Sequence, residues 1–324
     1  MILAGDIGGT HCRLALFSGP RALKEETVLP SSGHESFAAA ARAFIGRGGA
    51  EVEAACLGVA GPVLDGRAKI HNLPWVLDAA RLRGDLGVPR VVLINDLEAN
   101  AYGMEWLEDK DYFTLQTGRP VEGGNQALIA AGTGLGEAGL IRVEGRTHVC
   151  ASEGGHVDFA PADDLQVGLM KHLQREFRRV SYQMILSGPG FLRVYGYLKE
   201  AGPDREPDWL AREMAGPDPA RALAQAGLEG KCPLAERALS LFLDIYGAET
   251  GNTALKFLST GGVFIGGGIA PALLPAIRRG GFMEAFLAKD RVRGLLEGIP
   301  VKVILNDKAA LLGAACHALR TALP

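Results

Sequence analysis

The residues with the clearest capacity for chemistry are Asn95 and Asp96, which directly follow the apolar run Val91–Ile94. A short, continuous apolar run predicts a buried strand of a parallel sheet, and a helix-prone stretch begins at Leu97. Open α/β sheets bind ligands at the carboxyl ends of their strands. An amide donates and accepts whereas an ionised carboxylate only accepts, so the pair could hold a polyol hydroxyl and take its proton. Taken alone, Asp96 is more simply a helix cap.

A second polar cluster lies in Cys150–Pro161, where Glu153 and His156 flank two glycines. A tight turn there would let both side chains reach one small ligand. A carboxylate that accepts hydrogen bonds, beside a histidine that donates or accepts, suits the hydroxyl groups of a sugar. The alternatives are a solvent-exposed turn and a metal site. One Glu and one His without an HExxH pattern do not favour metal.

Three glycine-rich loops accompany apolar strands: Gly5–Thr10, Gly132–Gly136 and Gly266–Gly268. Glycines let backbone N–H groups converge on an anion, so each loop could bind phosphate or lie against a flat base. Asp6 would repel a phosphate, but it could hold Mg²⁺ directly or through water. The plainer alternatives are ordinary hairpin turns and a strand–helix junction. Because these loops accompany it, we favour a chemical role for the Asp96 side chain over a role as a helix cap.

The elements that would position these residues alternate between strands and helices, which is typical of an α/β protein. For the first half the sequence predicts a hairpin over Ile2–Phe17, a helix over Glu35–Gly46, a strand over Ala54–Ala60 and a short helix over Arg81–Leu86. For the second half it predicts strands on both sides of Gly132–Gly136, helices over Asp164–Arg179, Leu234–Leu258 and Asp307–Ala322, and a last strand over Val301–Leu305. That last strand and helix resemble the first hundred residues, so we expect the chain to return to its first domain.

Other interpretations of the loops are less favoured. A dinucleotide fingerprint requires a helix after its glycines, whereas a strand is predicted after Gly136, and no Gly-Lys-Ser/Thr of a P-loop follows any loop. Gly132-Thr133 repeats Gly9-Thr10, which suggests an internal duplication. Asn72 could donate to a ligand and Trp75 could wall a pocket, although loop capping and core packing are the commoner roles.

Composition excludes several classes of protein. The 324 residues are 48% hydrophobic and 22% charged with a net charge of −3, as expected for a globular protein of two domains. No long basic run indicates a nucleic-acid or membrane-surface partner, and no apolar run reaches membrane-spanning length. The five scattered cysteines indicate reduced thiols. Because Met1 runs into Ile2 without a basic leader, we expect a cytoplasmic protein.

Several motifs together resemble those of bacterial glucokinases, in the sugar-kinase branch of the actin–hexokinase superfamily. They are GDIGGT, INDLEANAYG, AAGTGLG, SEGGHVDFAP, LSGPG and TGGVFIGGGIAP. The resemblance runs from Gly5 almost to the C-terminus, and the zinc motif of the related repressor–kinase family is missing. It implies a two-domain actin/hexokinase-like (ribonuclease H-like) α/β fold. A cleft would separate a small domain of residues 1–108 and 300–324 from a large domain of residues 109–299.

The resemblance also implies roles for individual residues. The first phosphate loop would comprise Gly5, Asp6, Ile7, Gly8, Gly9 and Thr10, with Mg²⁺ near Asp6. The second phosphate loop would comprise Gly132, Thr133, Gly134 and Gly136, and the residues near the nucleoside would be Gly266, Gly267 and Gly268. The glucose ligands would be Asn95, Asp96, Glu153 and His156, with Asp96 as general base. At the position facing the anomeric end of the sugar, Gln183 stands where the family usually has a glutamate.

The implied reaction is the ATP- and Mg²⁺-dependent phosphorylation of D-glucose to glucose 6-phosphate, the first step of glycolysis. The expected state is a homodimer without nucleic-acid or membrane partners. Two alternatives stay open. Gln183 allows a kinase for another hexose, such as fructose or mannose. A non-catalytic sugar sensor on the same fold is disfavoured because such sensors carry an N-terminal DNA-binding module, whereas this chain begins at its first strand and has Asp96.

Overall fold

The structure is a computed structural model that describes residues 1–8, 11–31, 34–48, 51–70 and 75–322. The chain divides into two compact units. The first comprises Met1–Asp111, Val149–Ala151 and Asn306–Pro324, and the second comprises Tyr112–His148 and Ser152–Leu305. In the described part of the chain, no helix combines the length and apolarity that a membrane span requires.

The strands of the described residues are β1 (Ile2–Ile7), β2 (His11–Phe17), β3 (Leu23–Pro30), β4 (Ala54–Val59), β5 (Arg67–Lys69), β6 (Val76–Asp78), β7 (Arg90–Asn95), β8 (Tyr112–Gln116), β9 (Gln126–Ala131), β10 (Leu135–Val143), β11 (Arg146–Ala151), β12 (Gly262–Gly266) and β13 (Val301–Ile304). The α-helices are α1 (Phe37–Gly48), α2 (Ala79–Leu86), α3 (Asp96–Gly103), α4 (Asp164–Leu173), α5 (Gly188–Ala201), α6 (Asp208–Met214), α7 (Pro219–Leu228), α8 (Pro233–Lys256), α9 (Ile269–Ile277), α10 (Gly281–Leu287), α11 (Arg293–Glu297) and α12 (Ala309–Ala322).

The first unit is built on a sheet whose described strands have the order β3-β2-β1-β4-β7. β1 and β2 form the expected antiparallel hairpin, while β1, β4 and β7 run parallel. Residues of α1 and α2, such as Phe37 and Leu82, form the core on one face, and α12 residues such as Leu311 form the core on the other. Burial on both faces explains why the strands read as continuous apolar runs.

The C-terminal helix packs in the first unit, as the sequence predicts. A Cβ atom at Gly313 of α12 would clash with the carbonyl oxygen of Ala99 in α3. Another clash would occur between a Cβ at Gly103 of α3 and the backbone of Ala309. Only residues without side chains let the two helix backbones approach this closely, so these glycines serve packing.

The second sheet has its described strands in the order β11-β10-β9-β12-β13-β8, and it lies in the second unit except for Val149–Ala151 at the end of β11. β9 and β10 are antiparallel, β9, β12 and β13 are parallel, and β8 adds an antiparallel edge strand. Apart from β8, this repeats the succession of the first sheet. The topology therefore supports the internal duplication suggested by the two Gly-Thr loops.

The chain returns to the first unit later than the expected residue 300. Val301 and Val303 of β13 are fully buried and pair with Val263 and Ile265 of β12, inside the second sheet. The first unit resumes at Asn306, with α12. β13 and α12 thus follow one another in the chain but belong to different units. β13 extends the parallel strands of the second sheet, whereas α12 packs against the first sheet.

Helix α4 is shorter than its amphipathic pattern predicts, since it ends at Leu173 instead of Arg179. Five of the six residues from 174 to 179 are exposed, so this segment has little apolar surface to bury as a helix. Arg179 turns back instead to place its Nε 2.5 Å from the carboxylate Oδ1 of Asp158. The long helix α8 forms the centre of this unit's core, where Phe242 and Tyr246 are completely buried.

Candidate active site

Asn95 caps helix α3. Its Oδ1 accepts hydrogen bonds from the backbone N–H groups of Leu97 (2.9 Å) and Glu98 (3.4 Å), and its Nδ2 donates to the carbonyl oxygen of Gly61 (3.1 Å). The cap that the sequence alone would assign to Asp96 therefore belongs to its neighbour. One N–H hydrogen of the Asn95 amide is left for other partners.

Asp96 is the first residue of α3, and its side chain is partly exposed. Its Oδ1 accepts from the N–H of Leu97 at 2.9 Å. A carboxylate in the first turn of a helix is stabilised by the helix dipole. Asn95 is therefore the N-cap of α3, and the Asp96 carboxylate lies beside it in the first turn, at the end of a buried strand.

Asp6 lies on the same edge of the sheet as Asp96. The register pairs Ile7 of β1 with Val59 of β4, and Val59 with Asn95 of β7, so the carboxyl ends of these three parallel strands are aligned. This is the edge at which open α/β sheets bind ligands. The structure thus brings together two of the carboxylates that the sequence singles out in the first unit.

Burial and a neighbouring arginine act on the Asp6 carboxyl group in opposite directions. Burial raises the pKa of its carboxyl group, and Arg13, its partner across the hairpin, acts in the opposite direction. Arg13 is itself engaged, since its Nη1 donates to the carbonyl oxygen of Asp307 at 2.9 Å. Among the described residues, no group of three or more His, Cys, Asp or Glu could hold a metal ion. Mg²⁺ at a nucleotide usually takes one or two carboxylates and the phosphates, and Asp6 can supply one.

Only part of the first glycine loop can be located. Gly9 and Thr10 lie outside the described residues, as does Asn72. Gly8 closes the turn, with its N–H donating to the carbonyl oxygen of His11 at 2.9 Å. Gly5 lies within β1, where a Cβ atom would come within 2.7 Å of a methyl carbon of Leu57. It is therefore a packing glycine and does not belong to the turn as expected.

The second glycine loop joins β9 to β10. The N–H of Gly132 donates to the carbonyl oxygen of Gly134 at 2.8 Å, and the N–H of Gly188, which begins α5, donates to the carbonyl oxygen of Gly132 at 2.9 Å. Thr133 is exposed at the tip, whereas Gly136 already lies in β10. A strand follows the glycines, which confirms the argument against a dinucleotide fingerprint.

The third glycine loop lies beside the second. Gly266 ends β12 and pairs with Ala130 of β9. Gly267 has φ of +78°, and a Cβ atom there would clash with the carbonyl oxygen of Ala131. Gly268, the next residue, has open space where a Cβ would be. The ends of two parallel strands therefore place both loops of the second unit side by side.

Glu153 and His156 lie at the two ends of one short 3₁₀ turn, with Glu153 Oε2 3.9 Å from His156 Nε2. Their side chains are 65% and 58% exposed, so both are accessible to a ligand. Gly155 lies directly over Leu135, whose carbonyl oxygen would clash with a Cβ atom. The sugar turn, as we call residues 153–156, therefore rests on the first residue of β10.

Gln183 contacts the second glycine loop. Its Oε1 accepts from the N–H of Leu135 at 3.1 Å and would lie 2.7 Å from a Cβ atom at Gly134. The structure thus gathers Gln183, the second loop and the sugar turn around Leu135. The amide oxygen expected to face the sugar is already used by the protein, which leaves the Nε2 hydrogens for a ligand.

Trp75 is a core residue. It is 5% exposed and stacks edge-on against Phe37 with ring centroids 6.3 Å apart. The suggestion that it walls a pocket is wrong, and the commoner packing role applies. Sequence reasoning also missed the charged residues Arg13 and Glu137. The available signal for Glu137 was a carboxylate in the middle of an apolar strand, and for Arg13 its place opposite Asp6 in a hairpin.

Two related α/β sheets, each with an antiparallel hairpin beside parallel strands, define an α/β protein of the actin–hexokinase fold class. A glucokinase crystal structure from an Antarctic psychrotroph has a TM-score of 0.85 and 29% identity, covering 98% of each chain. A ROK family glucokinase from Streptomyces griseus, solved in complex with glucose and AMPPNP, has a TM-score of 0.67 over 98% of this chain and 99% of that one. At 22% identity the second likeness shows the fold alone.

The family model described as Glucokinase matches residues 3–321. A glucokinase from Nostoc punctiforme is 39% identical over an alignment of 338 residues, gaps included, that covers 99% of each chain. The chain belongs to the glucokinase family. As a member of this family it is an enzyme, and the resemblance drawn from its motifs is confirmed.

Proposed function

We propose that the protein phosphorylates D-glucose with ATP and Mg²⁺ to give glucose 6-phosphate, with Asp96 as the general base. The observation that carries this proposal is the alignment of strand ends that places Asp6 and Asp96 on one edge of the first sheet. Membership of the glucokinase family supports glucose as the sugar, and the glycine loops support a phosphate-bearing donor.

In this mechanism Asp96 accepts a hydrogen bond from the 6-hydroxyl of glucose and takes its proton as the phosphoryl group transfers. A positioned general base contributes about 10²–10⁴-fold in rate. The bond from the Leu97 N–H to Oδ1 fixes the carboxylate at the helix start. Asn95 keeps one amide hydrogen for a sugar oxygen while its other groups hold the strand–helix junction.

The glycine loops bind the nucleotide. Their glycines let the phosphates approach the backbone closely, because these positions have no side chain. Gly267 and Gly268 offer a flat surface for the nucleoside. Asp6 would hold Mg²⁺ directly or through water, and the ion would supply neutralisation of the phosphate charge.

The sugar turn supplies the remaining sugar contacts. Glu153 accepts from hydroxyl groups, and His156 donates or accepts beside it. Gln183 faces the anomeric end of the sugar with an Nε2 donor, because its Oε1 is bound to Leu135. A donor in place of the family's usual carboxylate is the one observation that favours a second candidate, a kinase for another hexose.

An ADP-release assay with ATP, Mg²⁺ and a panel of glucose, mannose, fructose and 1-deoxyglucose tests the proposal. We expect glucose to give the highest kcat/KM. A higher value for mannose or fructose would assign the second candidate instead. No sugar-dependent ADP release with any of them would refute kinase activity toward hexoses.

A further inference from the structure

Beneath the sugar turn lie two buried carboxyl groups and an exposed lysine, Lys256, that the proposed mechanism does not use. Glu137 of β10 and Glu249 of α8 are 1% and 0% exposed. The Nζ of Lys256 lies 2.7 Å from Glu249 Oε1 and 3.4 Å from Glu137 Oε2. Buried charges are costly unless each is paired and hydrogen-bonded, so the partners of each carboxyl group determine its protonation.

The two carboxyl groups differ in their partners. Both oxygens of Glu249 are satisfied, because Lys256 donates to Oε1 and Asn252 donates to Oε2 at 2.7 Å. Lys289 holds this arrangement through a 2.6 Å bond to Asn252 Oδ1. By contrast, Glu137 Oε1 is buried and no hydrogen bond reaches it from the described residues. Glu137 is therefore the group that should carry a proton.

Electrostatics give the same assignment. Burial, followed by the negative charge of Glu249, raises the pKa of Glu137 to about 7, with Lys256 opposing the shift. A proton on Glu137 can be shared with Glu249 in a hydrogen bond. That proton converts an unsatisfied buried acceptor into a donor, which removes the main cost of burying the pair.

Glu137 is in direct contact with the sugar turn. Its carbonyl oxygen accepts from Ser152 Oγ at 2.7 Å, and Ser152 Oγ accepts from the N–H of Gly154 at 3.1 Å. A Cβ atom at Gly154 would lie 2.5 Å from Glu137 Oε2 and 2.9 Å from Glu137 Cβ. The turn thus rests on both the backbone and the side chain of Glu137.

We propose that Glu137 is a positioning residue for sugar binding: its protonated carboxyl group holds the sugar turn in place, and loss of the proton weakens sugar binding without affecting phosphoryl transfer. The inference rests on the proposed role of Glu153 and His156 as sugar ligands. When Glu137 ionises, two buried carboxylates share one lysine. The added negative charge lies directly beneath the turn, and the turn, whose Glu153 and His156 side chains are exposed, can move away from it toward solvent.

The other titratable groups around Glu137 include two tyrosines and two lysines. Burial raises the pKa values of Tyr182 and Tyr246 well above the usual range, so both stay neutral. Burial lowers the pKa of Lys289, whereas the pKa of Lys256 is raised because Glu249 and Glu137 outweigh its burial. Since burial opposes ionisation of an acid, Glu137 is protonated below its raised pKa, and the support of the turn is lost as pH rises through it.

The test compares wild type with Glu137→Gln and Asp244→Asn between about pH 6 and about pH 8, on either side of the raised pKa. Glutamine is the neutral, isosteric mimic of the protonated acid, and its amide can donate to Glu249. For wild type we expect the KM for glucose to rise up to about tenfold by about pH 8, since only the protonated fraction binds well. Glu137→Gln should hold the low-pH KM throughout, with kcat unchanged.

Asp244→Asn is the matched control. Asp244 also lies on α8, and burial followed by Asp163 and Glu284 raises the pKa of its carboxyl group. It faces a separate groove, beside Arg279 and Phe282. This variant should keep the wild-type dependence of KM on pH. The effect of Glu137→Gln would then be specific to Glu137, because neutralising another acid on α8 does not reproduce it.

A Glu137→Gln variant that keeps the wild-type rise in KM would overturn the proposal, because the rise would then belong to another group. If the Glu137→Gln variant fails to fold, the Glu249→Gln variant tests the proposal instead. Removing the neighbouring charge lowers the pKa of Glu137, so the rise in KM must move to lower pH, and an unmoved rise overturns the proposal. Two outcomes for the wild-type protein separate this inference from the proposed function. If the wild-type protein phosphorylates glucose with a KM that does not depend on pH, the inference alone is overturned. If it phosphorylates no glucose, the proposed function is overturned, and the inference with it.

Discussion

Replacing Asp96 by asparagine separates general-base chemistry from support of the helix. The amide keeps an oxygen that can accept from the Leu97 N–H, as Asp96 Oδ1 does at 2.9 Å. It cannot take a proton from a sugar hydroxyl. We therefore expect Asp96→Asn to bind glucose and to retain its fold but to turn over very slowly.

The magnitudes of the two effects are well separated. Loss of a general base should lower kcat by about 10²–10⁴-fold, which is about 2.7–5.5 kcal/mol in activation free energy. The free energy of unfolding should fall by less than about 1 kcal/mol, the upper range for a charge at an exposed helix start. Asn95→Ala is the contrasting variant. It removes the cap of α3 and the bond to Gly61, and should cost about 1–2 kcal/mol in stability.

Three measurements decide the outcome: kcat from ADP release, glucose affinity from calorimetry, and stability from urea denaturation. If Asp96→Asn retains more than about a tenth of the wild-type kcat, Asp96 is not a general base of the expected strength. If it loses as much stability as Asn95→Ala, the asparagine has disturbed the helix start, and the assignment of the cap to Asn95 is wrong.

Three further predictions concern the second unit and the ligands. Gly134→Val places a branched side chain in the second glycine loop, where the backbone would approach the phosphates, so calorimetry should show a larger loss of affinity for ATP than for glucose. Equal losses would indicate misfolding instead. Gln183→Glu keeps an acceptor for Leu135 and adds a charged acceptor for the sugar, so KM for glucose should fall several-fold, by on the order of 1 kcal/mol, with kcat little changed. An equal shift for 1-deoxyglucose would show that Gln183 does not contact the anomeric hydroxyl. Glucose at about 100 times its Kd should stabilise the fold by about 2.7 kcal/mol, and a Tm raised only by another hexose would reassign the substrate.

The sequence predicts the strands that carry the site because their burial is two-sided. Val91–Ile94 and Ala54–Ala60 are uninterrupted apolar runs, and each corresponds to a parallel strand with both faces covered. Polar residues that end such runs mark the edge of the sheet. Asn95 and Asp96 could therefore be placed from sequence alone, and so could the turn that holds Glu153 and His156.

The roles of the glycines could not be predicted in the same way. Gly5, Gly134 and Gly155 all occur in glycine-rich motifs, yet each meets a different neighbour. Gly5 packs against the Leu57 side chain, Gly134 lies beside the Gln183 amide, and Gly155 rests on the Leu135 carbonyl. A glycine in the sequence indicates only that the position has no side chain. Whether a phosphate, another side chain or another backbone needs that space depends on tertiary contacts.

The site amides show why residue type alone does not fix a residue's role. Asn95 accepts from Leu97 and donates to Gly61, so one neutral side chain joins a helix start to the loop after β4. An aspartate at this position would keep the cap but place a second acceptor against the Gly61 carbonyl oxygen, which would repel it. An amide is therefore required by the scaffold before any ligand is considered. The second Nδ2 hydrogen of Asn95 is available to a sugar. It can be identified only from the hydrogen-bond partners that the structure gives to the rest of the side chain.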